Sequence, residues 1–142
     1  MTEIYLESSA LLAWLLGEPA AAIVISKANR ADVVLTSVLT LVETERALIR
    51  AETQRILTAG QAETLKGILA RSRAGWILME ISVDVRSRAS SVFPSEPVRT
   101  LDAIHLATAL LFMRIFPDLR LLSFDQRVLE NARALGIGTA GD

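Results

Sequence analysis

Four carboxylates in this chain stand where a carboxylate is conspicuous. Glu7 follows the β-prone run EIYL, Glu43 interrupts the apolar helical face VLTLV, Asp102 opens the apolar stretch AIHLATALL, and Asp125 follows LRLL after Ser123 and Phe124. Each has an ordinary reading alone. Asp102 and Asp125 complement the positive end of a helix dipole, Glu43 lies one turn from Arg46, and Glu7 closes a strand. Together they point to a shared site, because clustered like charges repel unless a cation neutralises them. All-oxygen donors suit a hard divalent cation, Mg²⁺ or Mn²⁺. A chain with no cysteine and one histidine offers little to zinc. A hard cation so held lowers the pKa of a bound water and stabilises charge on a phosphoryl oxygen. His105, one turn beyond Asp102 on an apolar helix, reads as a satisfied core residue rather than a ligand, and Glu45 and Asp84 read as solvated.

To share a site, these acids must be carried to one place. The pattern predicts strands at 3–6, 33–35, 76–81 and 119–122, with a last short one at 137. Between them it predicts helices at 10–16 behind Ser8 and Ser9, from Pro19 to about 29, and at 38–53 behind Thr36 and Ser37. Further helices are expected at 61–73 after Gly60, at 83–93, at 101–116 with Thr100 as N-cap, and at 125–135. The 101–116 helix is apolar almost all round, so it should be buried on most sides. Strands alternating with helices imply a three-layer α/β/α fold, with a mostly parallel sheet of four to five strands covered on both faces. In such sheets, sites form outside the carboxyl ends of the strands. Glu7 and Asp125 lie at two of those ends. Trp14 and Trp76 read as packing residues.

Composition narrows the class. The 142 residues contain no repeat or linker and read as one domain, 1–142. No apolar run approaches the roughly 18 residues of a membrane span, and the N-terminus carries Glu3 and Glu7 rather than a basic leader. With no cysteine, these features lead us to expect a cytoplasmic protein without disulfides. A mean hydropathy of +0.40 is rich for this size and suggests apolar surface covered by a partner or a second copy. The net charge of −1 excludes nucleic-acid binding by bulk charge. The basic residues other than Lys27 and Lys66 are arginines, suited to bidentate phosphate contacts.

The segments YLESSALLAWLLGEP, TSVLTLVETERAL, TLDAIHLATAL and LLSFDQRVLENARALG, in that order and spacing, resemble the PIN-domain family, and within it the toxin nucleases of VapBC-type toxin–antitoxin pairs. The resemblance covers nearly the whole chain. It implies a Mg²⁺- or Mn²⁺-dependent endoribonuclease, commonly homodimeric, held inactive by a cognate antitoxin. It assigns the family's four acids to Glu7, Glu43, Asp102 and Asp125, with Ser9 as supporting hydroxyl. Glu7, Asp102 and Asp125 are then expected to hold the ion directly or through water, and Glu43 to orient the attacking water or complete the shell. The family's first acid is usually aspartate. Glutamate sets the carboxylate about one C–C bond further out, and a misplacement near 1 Å can cost on the order of 100-fold in rate. The ion shifts, Glu7 acts through water, or catalysis is weakened and the domain acts mainly by binding RNA or a protein partner. Arg46, Arg99 and Arg127, with Arg50, Arg86 and Arg88, are the candidate RNA contacts. The apolar run of 10–16 with the following helix is the expected antitoxin groove. A flavodoxin-like phosphoacceptor domain fits poorly, since it needs paired acids after the first strand and a late lysine, and no lysine follows Lys66.

Overall fold

A computed structural model describes residues 1–140. Five strands, β1 (Glu3–Leu6), β2 (Val33–Ser37), β3 (Ile77–Met79), β4 (Arg120–Leu122) and β5 (Gly138–Ala140), form one sheet in the order β3-β2-β1-β4-β5. All four pairings are parallel, so the expectation of a mostly parallel sheet holds in full. The helices are α1 (Ser8–Leu15), α2 (Ala21–Arg30), α3 (Val38–Thr53), α4 (Ala59–Arg73), α5 (Val83–Ala89), α6 (Thr100–Met113) and α7 (Gln126–Ala134).

The period-2 alternation of strands sorts the core into two halves. Tyr5 pairs in register with Leu35 and Leu121, and all three pack with Leu106, Ala109 and Phe112 of α6 and Val128, Leu129 and Ala132 of α7. Ile4, Leu6, Val34 and Leu122 face the other way, onto Ala10, Leu11 and Leu15 of α1, Val24 of α2, Leu41 of α3 and Leu69 of α4. Trp14 and Trp76 pack against each other there, with ring centroids 6.4 Å apart. The chain runs outward from β1 to β3, then returns to the other side of β1 for β4 and β5. The crevice between the carboxyl ends of β1 and β4 is therefore the topological switch point, where open α/β sheets take their ligands.

Several boundaries differ from the sequence pattern for local reasons. Pro19 precedes α2 rather than opening it, and Ser8 is inside α1 because Glu7 is its N-cap. The α4 helix starts early because Thr58 and Gln61 form a reciprocal capping box. The α5 helix stops at Ala89, not near 93. Beyond it Phe93 turns into the core and the Glu96 carboxylate accepts the N–H groups of Phe93 and Val98. Thr100 is the first residue of α6, whose N-cap, Arg99, makes no side-chain cap bond. The α6 helix ends at Met113, and Ile115 is exposed. It is buried along most of its length but leaves Leu101 46% exposed at its first turn, where a cleft opens.

Leu106 is fully buried at the centre of the α6 half of the core. Leu106→Ala should cost about 2–5 kcal/mol, read as a lower urea midpoint at unchanged m-value.

Candidate active site at the switch point

The two central strand ends are tied by one side chain. Glu7 is 3% exposed, and its backbone N–H bonds Leu122 O at 3.1 Å. Its carboxylate takes the Ser8 hydroxyl on Oε1 at 2.9 Å. On Oε2 it takes the Ser9 N–H at 2.9 Å, the Ser9 hydroxyl in a short hydrogen bond, and the Ser123 hydroxyl at 2.8 Å. The two serines pass the tie on. Ser9 Oγ accepts the Phe124 N–H at 2.9 Å and Ser123 Oγ accepts the Asp125 N–H at 3.1 Å. A buried carboxylate is tolerated when donors replace its water, and here four donors do so. The expectation that Ser8 and Ser9 cap α1 is reversed: Glu7 caps, and the serines hold Glu7.

The other acids arrive from three further elements. Asp125 caps α7, with Oδ1 accepting the N–H groups of Arg127 at 2.9 Å and Val128 at 3.5 Å. Glu43 sits half-buried on α3, and Oε1 lies 2.6 Å from His105 Nε2. The predicted partner Arg46 is not the one it takes. His105 is 1% exposed, and its Nδ1 lies 2.8 Å from the phenol oxygen of the fully buried Tyr5. Asp102, in the first turn of α6, is half-buried. Burial raises its pKa above the ordinary carboxylate value of 3.8, and the charges of Asp125 and Glu7 push the same way against a smaller pull from His105 and Arg99.

All four acids line one cleft of about 370 Å³ with Ser8, Ser9, Leu12, Arg99, Thr100 and Leu101. The sequence reading thus has its four acids and Ser9 brought together. It missed Ser123, although a hydroxyl two residues before Asp125 at a strand end is a visible signal, and it missed the pairing of His105 with Glu43. Of the arginines, Arg99 lines the cleft, and with Arg127 it also lines an adjoining recess of about 430 Å³ against Ser95, Glu130 and Asn131. Arg46 is exposed on α3 and lines neither. Arg86 and Arg88 are engaged locally, bonding Ile81 O and Val92 O.

The donor chemistry fits a hard cation. Mutual repulsion among Asp102, Asp125 and Glu7 is the charge such an ion would relieve. Among the described residues, no three acidic or histidine side chains form a ready-made ligand set.

The raised pKa has a stability consequence. A carboxyl whose folded pKa exceeds its unfolded pKa contributes stability below the unfolded value, and this is lost as pH rises through the folded one. Asp102→Asn should therefore be more stable than the native chain at pH 7 without metal, by about 1 kcal/mol or less, or about 2–4 °C in Tm. The gain should vanish below pH 3, roughly, where both forms are uncharged. Thermal melts at the two pH values check this, and a loss of stability at pH 7 would contradict the repulsion.

The PIN domain family model matches residues 4–135. Ribonuclease VapC35 of Mycobacterium tuberculosis is 39% identical over 103 residues, covering 72% of this chain and 68% of that protein. Ribonuclease VapC46 of the same species is 34% identical over 139 residues, covering 96% and 95%. The crystal structure of Mycobacterium tuberculosis VapC20, a sarcin–ricin-loop-cleaving toxin, superposes with a TM-score of 0.66 at 20% identity, covering 96% of this chain and 98% of that one. With the switch-point acids in place and the family model spanning nearly its full length, the chain belongs to the PIN-domain family and has VapC ribonucleases among its relatives.

Proposed function

We propose that this chain is a divalent-metal-dependent endoribonuclease that hydrolyses RNA phosphodiester bonds as the toxin of a toxin–antitoxin pair. The observation that carries the reading is the single cleft lined by Glu7, Glu43, Asp102 and Asp125 from separate elements. The ribonuclease relatives support the reaction class. Asp102 and Asp125, with Glu7 directly or through a water, would hold Mg²⁺ or Mn²⁺. Bound there, the ion would activate water and stabilise charge on a phosphoryl oxygen. Glu43, held by His105, orients the attacking water. Arg99 and Arg127 take the phosphates flanking the scissile one.

A second reading keeps the domain as a weakened enzyme acting mainly by binding. It draws on Glu7, whose carboxylate is already engaged by three serine hydroxyls and a backbone N–H. The proposal extends to a cytoplasmic homodimer with an antitoxin helix seated beside α1. The recess there, about 570 Å³, is walled by Leu15, Leu16, Leu57 and Leu65. It lies against α4 rather than against α2, the helix that follows α1. No helix among the described residues is long and apolar enough to cross a membrane.

The native chain should cleave an RNA pool with Mn²⁺ or Mg²⁺, Asp102→Asn should lower the rate at least 100-fold, and Glu7→Asp should stay within about tenfold. An undiminished Asp102→Asn rejects the mechanism, and cleavage by Glu7→Asp alone selects the weakened-enzyme reading. In parallel, Mn²⁺ at about 100 times its Kd should stabilise the native fold by roughly 2.7 kcal/mol, an effect expected to shrink in Asp102→Asn.

Each phosphate contact contributes about 0.7 to the salt slope of single-strand binding. Arg99→Ala with Arg127→Ala, introduced into the Asp102→Asn chain, should therefore flatten the slope of log K against log salt by roughly 1.4. An unchanged slope removes these two residues from the RNA path.

A further inference from the structure

His105 is the chain's one histidine and, as expected, a buried one with both ring nitrogens satisfied, but its two partners give it more than a packing role. The ring spans two elements. Nε2 faces the Glu43 carboxylate of α3 at 2.6 Å, and Nδ1 faces the Tyr5 hydroxyl of β1 at 2.8 Å. The phenol and imidazole also meet edge to face, with centroids 6.1 Å apart. Tyr5 is fully buried and His105 is 1% exposed, whereas Glu43 keeps 22% of its side chain open to the cleft. The line therefore runs from the dry core out to the site.

Hydrogen-bond chemistry gives this line a direction. An ionised carboxylate only accepts, so Nε2 must carry the proton that reaches Glu43. With one ring proton placed on Nε2, the neutral imidazole leaves Nδ1 bare, and Nδ1 then accepts the Tyr5 O–H. Burial holds Tyr5 in that protonated form, with its pKa pushed far above the ordinary 10.0. Each group then has one role that its neighbour enforces.

We infer that Tyr5 and His105 are positioning residues for Glu43. Tyr5 locks the single imidazole in its Nε2–H form, and that N–H fixes where the Glu43 carboxylate points in the cleft. This rests on the ribonuclease reading for its catalytic consequence, but not for the tautomer itself. A partner that fixes tautomer and orientation one step behind a working group typically matters by about 10–100-fold.

Two near-isosteric replacements separate positioning from packing. His105→Gln sets an amide N–H where Nε2 stood and keeps the donor to Glu43. His105→Asn sets its amide where Nδ1 stood, reaching Tyr5 and leaving Glu43 without a donor. RNA cleavage by His105→Gln should stay within about tenfold of the native rate. His105→Asn should lose about 100-fold in kcat at similar KM, and both should melt within a few degrees of each other. Equal rates for the two variants would overturn the inference. Long-range ¹H–¹⁵N spectra of the native chain, uncluttered with one histidine, should show a proton on Nε2 and a bare Nδ1. Tyr5→Phe should weaken that preference and Glu43→Gln should move the Nε2 resonance. A native ring protonated on Nδ1 alone, or Nε2 indifferent to Glu43→Gln, sinks the lock. If neither native chain nor variants cleave, the spectra still decide the lock, and it is the ribonuclease reading that fails.

Discussion

The cleft depends on how the buried carboxylate of Glu7 is satisfied. β1 and β4 are neighbours in the sheet but distant in the chain, and the helices that follow them pack in opposite halves of the core. Ladder bonds align the strands, yet they do nothing for the junctions beyond them. Glu7 supplies that link by taking donors from Ser8 and Ser9 on its own side and Ser123 on the other. The serine oxygens then accept the backbone N–H groups of Phe124 and Asp125. The start of α7, and with it Asp125, is held in place by the charge that caps α1. Removing any one hydroxyl would leave a buried carboxylate short of a donor, the costly half of a hydrogen bond's ledger.

The four acids consequently do different physical work. Glu7 is engaged by the chain, Asp125 spends Oδ1 on the α7 cap, and Glu43 is paired with His105. Asp102 carries the unrelieved part of the field, because burial and two like charges act on it together. A carboxyl perturbed by burial and by like charges in a cleft is the mark of a candidate functional group.

Much of the fold was legible in the sequence because burial leaves a periodic trace. Strands covered on both faces read as short apolar runs, and helices as 3.6-residue stripes, so strand number, parallel sheet and the four acids followed. Pairings across the chain were not legible. Glu43 stands 62 residues from His105, and the nearer Arg46 offered a local partner that the fold declines. His105 looked like core because most of its ring is core. Only the register of β1 against α6 reveals Tyr5 behind it and a carboxylate in front. Helix ends were misread where a carboxylate captured nearby backbone N–H groups, forward to Ser9 for Glu7 and to both sides, Phe93 and Val98, for Glu96, a choice that propensity does not encode.

One helix joins these threads. Within α6, Leu106, Ala109 and Phe112 fill the core while Asp102 and His105 serve the cleft, one turn apart on the same rod. A helix held by buried contacts has little freedom to slide, so its first turn presents Asp102 at a fixed height above the sheet. The Tyr5 contact fixes the helix's rotation as well, since an imidazole between a phenol and a carboxylate satisfies both only in one orientation. Core packing and site geometry are therefore not separable in this helix. A change that lets α6 rotate would loosen Asp102 and Glu43 together, the first through its backbone and the second through His105. Placement to within about an ångström is what a working site requires, and the contacts from Tyr5 through His105 to Glu43 come from the buried core rather than from a loop.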